Sequence, residues 1–438
     1  MDPRPESTFR ARRCYGWRTL RARASVRQRA AGRFLEGPSN AHRGTAIKTL
    51  SISLLAAACV AALSLWFSSA AVLPEMLAEA PISASRQALL TSGVQVGFVL
   101  GALLFSVLGL PDRVHPARLF AACAAAAALV NASLLISPIG GNAAIAARVV
   151  TGALLAGVYP VGMKIAVGWG TRDRGFLVGL LVGALTLGSA SPHLVALAGG
   201  ADWRVTVTVT SLAGLGAALL ALGVRLGPHH AQAARFNIRA VTRAWTDRRI
   251  RLAYAGYLGH MWELYAVWSW AGAAMAASFA LRMAPQDALP LARIATFVAV
   301  AAGGLACIGA GWVADRIGKA QIAIIALAVS GTCALAAALS FGGPVWIVVP
   351  VFVLWGFSVI PDSAQFSALV ADFAPPEEAG SLMTLQTALG FALTFVTVQA
   401  APLVAAAAGW PLMLALLALG PAYGLVAMIR LKRLTEVG

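Results

Sequence analysis

The sequence predicts an all-α membrane protein with twelve transmembrane helices in two pseudo-symmetric six-helix bundles. Of its 438 residues, 59% are hydrophobic and 12% are charged, whereas about 25% of the residues in a soluble domain are charged. Apolar runs of about 20 residues follow one another, and each is long enough to cross a hydrocarbon core of about 30 Å as a helix. Backbone groups in lipid must be paired within the segment, so helices are expected rather than strands.

Twelve such runs are separated by polar intervals, and the longest interval divides them six and six. The expected spans are 50–72, 86–110, 118–137, 142–168, 175–198, 204–225, 252–280, 289–313, 320–341, 344–371, 380–405 and 410–429. We therefore expect a basic N-terminal tail, a first bundle, a cytoplasmic linker, a second bundle and a short cytoplasmic tail. Their ranges are 1–48, 49–225, 226–251, 252–430 and 431–438.

The basic tail carries much of the chain's charge. Residues 1–48 contain twelve Lys or Arg against three acids, which is more than half of the formal net charge of +17. The rest is spread over short loops, so the charge does not indicate nucleic-acid binding. An Arg-rich leader is compatible with a transit peptide or with a polybasic segment near anionic lipid. We favour the simpler interpretation that the tail is disordered or that the true start lies further on.

The distribution of Lys and Arg over the loops predicts the orientation. With the N-terminus inside, the inner loops and the C-terminus after residue 48 carry sixteen Lys or Arg, and the outer loops carry four. Both termini are therefore expected in the cytoplasm. Arg outnumbers Lys thirty to four, a coding bias typical of GC-rich bacteria, so the expected location is a bacterial inner membrane.

The two halves of the chain repeat one another. An acid–arginine pair follows the second span of each half, and two prolines recur in later spans. The matched positions are Asp112–Arg113 with Asp315–Arg316, Pro160 with Pro361, and Pro192 with Pro402. A duplication of six spans is typical of secondary transporters whose substrate site lies between the halves near the middle of the membrane. Helix breakers at matched positions indicate where that interface lies.

One polar loop carries a family resemblance. The segment "GWVADRIGK" between spans 8 and 9 resembles the loop signature of the major facilitator superfamily, G-x-x-x-D-R-x-G-R/K. A degraded copy, "LGLPDRVHPAR", lies between spans 2 and 3. The matching positions are Gly311, Asp315, Arg316, Gly318 and Lys319, and Asp112 and Arg113 in the degraded copy. The resemblance covers residues 50–430 and implies the major facilitator fold.

The resemblance also implies that these seven residues form a cytoplasmic gate. An acid at the inner surface can contact the N-terminus of a helix in the opposite bundle, and the helix dipole favours that contact by ~0.3–1 kcal/mol. The expected partner is the start of span 5 near Gly175 for Asp315, and the start of span 11 near Gly380 for Asp112. The alternative is a solvated loop that only follows the distribution of basic residues, which does not explain the acids or the glycines.

Ionisable side chains inside the spans are functional candidates, because a charge near the bilayer centre costs at least ~2.5 kcal/mol. Glu263 lies about 16 Å into span 7, and His260 shares its helix face. We expect Glu263 to carry a coupling proton, with His260 and with Asp362 of span 10 as further proton-coupling residues. The alternatives are a fixed salt bridge between Glu263 and Arg148 and, for Asp362, a bond to the backbone freed near Pro361.

Five side chains are candidates for binding a substrate: Arg148, His193, Trp262, Tyr265 and Gln365. Arg148 in span 4 would suit an anionic solute, whereas the aromatic side chains of span 7 would suit a lipophilic one. The candidates also have purely structural alternatives. His193 would pack between helices, the aromatic side chains of span 7 would face lipid or other helices, and Arg148 would only pair with an acid.

Parts of the chain resemble the nitrate/nitrite and cyanate-like branch of the superfamily. The nitrate transporters of that branch use buried arginines in spans 2 and 8. The only arginines of spans 2 and 8 in this chain are Arg86 and Arg293. Both are expected at the outer ends of their spans, which argues against nitrate as the substrate.

The predicted function is secondary active transport of a small organic or inorganic solute by alternating access, coupled to protons. The alternative is proton-driven efflux of lipophilic compounds, and minor alternatives are a membrane-embedded enzyme or a receptor shaped like a transporter. No phosphate-binding loop of the G-x-x-x-x-G-K-S/T type is present, so ATP is not expected to drive it. We expect no enzymatic activity, cofactor, metal or nucleic-acid partner, and a monomer whose partners are lipid, protons and substrate.

Overall fold

A computed structural model of the chain describes residues 38–170, 173–200, 202–230 and 242–436. Most of the basic tail and the middle of the linker lie outside these ranges. The side chains of Asp112 and Asp315, on which part of the predicted gate depends, also lie outside what the structure describes. The chain separates into two compact units, Met1–Leu50 and Ser51–Gly438, and the second unit contains the features discussed below.

Every regular element within the described ranges is helical, in agreement with the predicted all-α fold. The first six spans are Pro38–Leu63, Ala84–Leu108, Pro116–Ala132, Asn142–Leu155 continuing as Tyr159–Trp169, Arg174–Gly199 and Trp203–Leu222. The last six are Arg248–Phe279, Pro285–Ile317, Lys319–Ser340, Val345–Ser358 continuing as Ser363–Phe373, Pro376–Ala408, and Trp410–Leu417 continuing as Leu419–Glu436. Four short helices, Ser68–Ala71, Leu73–Glu79, Leu110–Arg113 and Arg243–Thr246, and a 3₁₀ turn, Ser133–Ile136, connect them.

Eleven of the described helices are long and apolar enough to cross a membrane. Span 7 has 32 residues and is long enough as well, since a helix rises about 1.5 Å per residue. Its many Trp and Tyr side chains make it less apolar than the others. Residues 51–225 are called the N-half below and residues 248–436 the C-half. The end of the spans that bears the loops after spans 2, 4, 6, 8 and 10 is called the basic end.

Two spans are interrupted where the repeated prolines predict it. Span 4 stops at Leu155 and resumes at Tyr159, next to Pro160, and span 10 stops at Ser358 and resumes at Ser363, after Pro361. Span 1 also stops, at Leu63, and the next helix begins at Ser68. The prediction of one uninterrupted span over residues 50–72 is therefore wrong. The sequence does not signal the break, because "SLWF" contains neither proline nor glycine.

The second pair of repeated prolines, Pro192 and Pro402, does not interrupt its helices. A proline lacks the N–H that would bond the carbonyl four residues earlier. For Pro192 that carbonyl is Gly188 O, which accepts from the Ser191 hydroxyl at 2.8 Å. For Pro402 it is Val398 O, which accepts from the indole of Trp270 at 3.1 Å. Side chains thus replace both missing bonds, as transmembrane helices require.

Glycines bring spans 5 and 8 together across the two halves. A Cβ atom on Gly183 would lie 3.1 Å from Gly304 O, and one on Gly179 would lie 3.1 Å from Cys307 O. At the basic end, a Cβ on Gly311 would lie 3.4 Å from Gly175 O. Small residues let the helix backbones approach this closely. The end of span 8 therefore lies against the start of span 5, where the sequence predicts the partner of Asp315.

Candidate functional site

A cavity of about 1270 Å³ lies between the N-half and the C-half. Its walls come from spans 1, 2, 4 and 5 on one side and from spans 7, 10 and 11 on the other. It extends from the middle of the helices to the loop after span 2, so it opens at the basic end. Residues that line its mouth include Gly109, Arg113 and Lys164, and residues at its inner end include Trp66 and Tyr265.

Four aromatic rings, here called the aromatic plug, close the inner end of the cavity. They are Trp66 and Phe98 from the N-half and Tyr265 and Phe391 from the C-half. Their ring centroids lie 4.8 Å apart for Phe98 and Phe391, 5.0 Å for Tyr265 and Phe391, and 5.1 Å for Trp66 and Phe98. Because each half supplies two rings, the plug must separate if the halves part at this end.

A buried ion pair joins the halves beyond the plug, toward the end opposite the basic end. The guanidinium of Arg293 in span 8 pairs with the carboxylate of Glu75, in the short helix that follows span 1. Arg293 also donates to Ala196 O of span 5 at 3.3 Å. Both side chains are less than 10% exposed, so Arg293 is not the surface arginine that its place near the outer end suggests.

The Glu75–Arg293 pair is a feature that the sequence alone does not predict. Glu75 falls three residues after the predicted end of span 1, and Arg293 is one of the four basic residues expected on the outer side. The signal available was an acid of the first half just after span 1 and a base of the second half near the start of span 8, both expected on the outer side.

Arg148 does not line the cavity, contrary to the prediction that it faces the substrate. It is completely buried in the N-half. Its guanidinium donates to the carbonyls of Leu65 at 3.0 Å and Trp66 at 2.5 Å, which are freed by the break in span 1. It also donates to Asn131 Oδ1 at 2.9 Å and to Ser68 Oγ at 3.1 Å. The predicted alternative of a salt bridge with Glu263 is wrong as well, since all of these partners are neutral.

Glu263 lies in the core of the C-half with both carboxylate oxygens bonded. Oε1 accepts from the Ser330 hydroxyl of span 9 at 2.6 Å, and Oε2 accepts from the Trp355 indole of span 10 at 3.0 Å. The side chain is completely buried. It lies next to the cavity wall, because Leu264 and Tyr265, the residues that follow it, line the cavity.

His260, which lies one turn from Glu263 on the same helix, meets Asp362 of span 10. Nδ1 of His260 lies 2.9 Å from Oδ1 of Asp362, although the two atoms are not aligned for a hydrogen bond. Nε2 of His260 has no hydrogen-bond partner among the described residues. Asp362 occupies the interruption of span 10, directly before Ser363, which lines the cavity. Glu263, His260 and Asp362 are called the acid cluster below.

Of the five predicted substrate-binding side chains, only Tyr265 lines the cavity. His193 is buried in span 5. Trp262 donates to Leu416 O at 3.1 Å and packs against span 12 within the C-half. Gln365 is buried on a face of its helix different from that of Ser363 and Ser367, which line the cavity. Helical spacing alone did not separate the faces that meet the cavity from those that meet other helices.

The remaining gate residues lie at the basic end. Arg113 lines the cavity mouth. Gly318 ends span 8 with a φ of +90°, a conformation that favours glycine. Lys319 donates to Asp372 Oδ2 at 2.6 Å within the C-half, and the guanidinium of Arg316 lies 3.3 Å from the ring centre of Trp312. These contacts brace the loop within its own half, so the role of the loop as a gate stays a prediction.

Comparisons with known proteins agree with the predicted fold. The family model of the Major Facilitator Superfamily matches residues 54–396. Two solved structures of nucleoside transporter NupG are similar to the chain. One has a TM-score of 0.65 at 14% identity, and covers 88% of this chain and 99% of its own. The other, a variant, has a TM-score of 0.63 at 15% identity, and covers 87% and 99%. No curated protein sequence matches the chain.

Proposed function

Since the chain belongs to the major facilitator superfamily and is a multi-pass membrane transporter, we propose that it is a proton-coupled secondary transporter in which Glu263 carries the proton. The observation that carries this proposal is the acid cluster. Three titratable side chains, each at most 1% exposed, gather directly behind the cavity wall. Ionisable residues inside a membrane protein are costly, and they usually mark ion or substrate pathways.

Charge balance within the cluster supports one exchangeable proton. Opposite charges on His260 and Asp362, whose Nδ1 and Oδ1 atoms lie 2.9 Å apart, would cancel one another. A second negative charge on Glu263 would then be the uncompensated one, and two carboxylates in one buried site disfavour simultaneous ionisation. Ser330 and Trp355 donate to Glu263 and so make its ionised form attainable. Glu263 is therefore the group whose protonation changes most readily with the state of the cavity.

The cavity, the aromatic plug and the Glu75–Arg293 pair support alternating access. The cavity is open at the basic end and closed at the other. In the opposite state the plug and the ion pair must separate while the basic end closes. The basic loops favour an orientation with the basic end and both termini in the cytoplasm of a bacterial inner membrane. On this basis the described conformation faces inward.

Proton-driven efflux of lipophilic compounds is the competing function, and lipophilic cations are the case that the cavity can test. Efflux of a cation usually requires a carboxylate that the cation can reach in the cavity. Among the described side chains that line the cavity there is no acid, whereas two bases do line it. The geometry therefore favours a neutral or anionic solute over a lipophilic cation.

The test is accumulation by the purified full-length chain in proteoliposomes, with and without an imposed pH gradient. The panel contains benzenesulfonate, phenyltrimethylammonium and uridine; uridine is included because both similar structures are nucleoside transporters. Proton coupling predicts that one solute accumulates above its external concentration only while the pH gradient lasts, and that a protonophore abolishes this. Accumulation that follows a sodium gradient and ignores the pH gradient would contradict the proposal.

A further inference from the structure

Spans 7 and 12 form an apolar groove on the surface of the C-half. The two spans run antiparallel and pack closely, since a Cβ atom on Gly259 would lie 2.5 Å from Gly420 O. Trp262 is partly buried and donates to Leu416 O at 3.1 Å, so its ring lies along one side of this contact. Leu416 begins a row of residues at three- and four-residue spacing, which shares one face of a helix. The exposed members of this row are Leu419, Tyr423, Val426 and Arg430. This side of the two spans is called the 7–12 groove below.

Arginines from both spans lie at the basic end of the 7–12 groove. Arg251 is exposed. It precedes Trp262 by eleven residues, about three helical turns, and therefore lies on the same side of span 7. Gly256 lies against Met428, because a Cβ atom there would be 2.7 Å from Met428 Cε. From this register, Arg251 and the exposed Arg430 lie within about 5 Å of each other along the helix axes, at about 1.5 Å per residue.

The acids near these two arginines pair with other bases. Asp247 lies 3.8 Å from Arg249, Glu436 lies 3.5 Å from Lys432, and Glu378 lies 2.5 Å from Arg243. Within the part of the chain that the structure describes, Arg251 donates to the neutral carbonyl of Trp245 at 2.8 Å, and neither Arg251 nor Arg430 forms an ion pair. Residues 243–251 and 430–438 hold seven Lys or Arg against two acids. The bases stay in excess even when Glu377, Glu378 and the C-terminal carboxylate are counted.

The surroundings of the arginines are those of a membrane surface. Trp245, whose carbonyl accepts from Arg251, is 56% exposed, and tryptophan favours the boundary between lipid and water. The apolar row of span 12 extends from the arginines toward the middle of the membrane. Basic pockets between transmembrane helices bind anionic lipid headgroups. The 7–12 groove therefore offers positive charge at the depth of the headgroups and apolar surface at the depth of the acyl chains.

From these observations we propose that the 7–12 groove is a binding site for an anionic phospholipid. The headgroup phosphate lies between Arg251 and Arg430, and an acyl chain packs along Leu419, Tyr423 and Val426. None of these five residues lines the transport cavity. The site is therefore distinct from the route of the solute, and its occupation does not depend on proton coupling.

The test is native mass spectrometry of the purified full-length chain in detergent, titrated with phosphatidylglycerol or phosphatidylcholine that have identical acyl chains. Each basic side chain near an anionic surface contributes about fivefold to lipid affinity. We expect the first phosphatidylglycerol to bind about tenfold to thirtyfold more tightly than phosphatidylcholine. Equal affinities would overturn the proposal. An excess of inorganic phosphate should not displace the lipid, and displacement would show that the site takes a soluble phosphate instead.

Two double variants test the arginines. Arg251→Gln with Arg430→Gln should weaken phosphatidylglycerol binding about tenfold to thirtyfold and leave phosphatidylcholine binding unchanged. Arg251→Lys with Arg430→Lys keeps both charges and should bind phosphatidylglycerol within about threefold of the wild-type chain. If the lysine variant loses as much affinity as the glutamine variant, charge does not hold the lipid and the assignment is wrong.

The matched control removes two other bases from the basic end. Arg118→Gln with Arg225→Gln changes the net charge equally, and both side chains are exposed in the N-half, away from the 7–12 groove. This variant should bind phosphatidylglycerol within about twofold of the wild-type chain. An equal loss in the control and in Arg251→Gln with Arg430→Gln would show that the lipid responds only to overall charge, and would overturn the site.

Discussion

The N-half and the C-half each bury a polar cluster, and the two clusters differ in how their polar groups are hydrogen-bonded. In the N-half, Arg148 donates to carbonyl, amide and hydroxyl oxygens that have no charge. In the C-half, the acid cluster contains three titratable groups, and atoms of His260 and Asp362 have no hydrogen-bond partner within the part of the chain that the structure describes. Burial alone therefore does not identify a functional site. A network in which every polar group is hydrogen-bonded stabilises one structure. Titratable groups that lack hydrogen-bond partners can instead take up or release a proton.

The largest expected effect comes from Arg148, because its network holds the break in span 1. Arg148→Met would leave the carbonyls of Leu65 and Trp66 without donors in a buried site, at about 1–3 kcal/mol each. We expect loss of monodisperse protein in size-exclusion chromatography and a much lower melting temperature. Arg148→Lys should restore little of this stability. The single ammonium nitrogen of lysine cannot replace the planar guanidinium, whose donors lie on several nitrogens.

Arg118→Gln serves as the control, because Arg118 is exposed at the start of span 3. A stable Arg148→Met protein that has lost only transport would remove the contrast between the two clusters, and would return Arg148 to the substrate site.

The next effect concerns the Glu75–Arg293 pair, to which each half supplies one charge. Arg293→Met leaves Glu75 buried without its partner and should favour opening at that end. A contribution of about 1–2 kcal/mol would shift the populations by about five- to thirtyfold. The measurement is labelling of a cysteine at Ser92, which lies at the seam between the halves and accepts from Gln399 at 2.7 Å, in a cysteine-free background.

The double variant Glu75→Gln with Arg293→Met should return labelling toward the level of the unmodified pair, because no unpaired charge remains. If Arg293→Met leaves the labelling of Ser92→Cys unchanged, the pair does not hold this end closed.

The smallest effect is expected for the exposed pair Glu79–Arg204, which lies entirely within the N-half. The hydrogen bond from Arg204 lowers the pKa of Glu79 to about 2. A lowered pKa contributes stability that is present above the ordinary pKa of the carboxyl and is lost as the pH falls toward 2. The pair therefore stays ionised from pH 5 to 8. Its exposure to solvent limits its contribution to the stability of the fold. Arg204→Gln should leave the pH dependence of the melting temperature unchanged over that range, and a change there would show that surface pairs also set the pH response.

Much of the fold could be predicted from the sequence, because membrane spans and helix breakers follow from local composition. The interruptions next to Pro160 and Pro361 follow from the missing N–H of proline. The grouping of Glu263 with His260 follows from helical spacing, and Asp362 was placed with them because charges inside spans are rare. The break in span 1 was not predictable in this way, since its stabilising donors come from Arg148, which lies more than 80 positions away.

The candidate site shows the same division between local and long-range information. Tyr265 lines the cavity, but Trp262, three positions earlier on the same helix, donates to Leu416 O instead. Which face of a span meets the cavity depends on how twelve helices pack together. Glu75 and Arg293 are more than 200 positions apart, and only the packing of the halves shows that they pair.

The central claim is that Glu263 carries the coupling proton, and Glu263→Gln in proteoliposomes tests it most directly. The amide keeps the shape of the side chain and can still bond Ser330 and Trp355, but it cannot exchange a proton. With the panel solute that the wild-type chain accumulates, the account predicts exchange at a near-normal rate without a pH gradient and no accumulation when the gradient is imposed. Glu436→Gln, which changes an exposed carboxylate paired with Lys432 at 3.5 Å, should accumulate normally. Accumulation by Glu263→Gln at the wild-type rate would contradict the account.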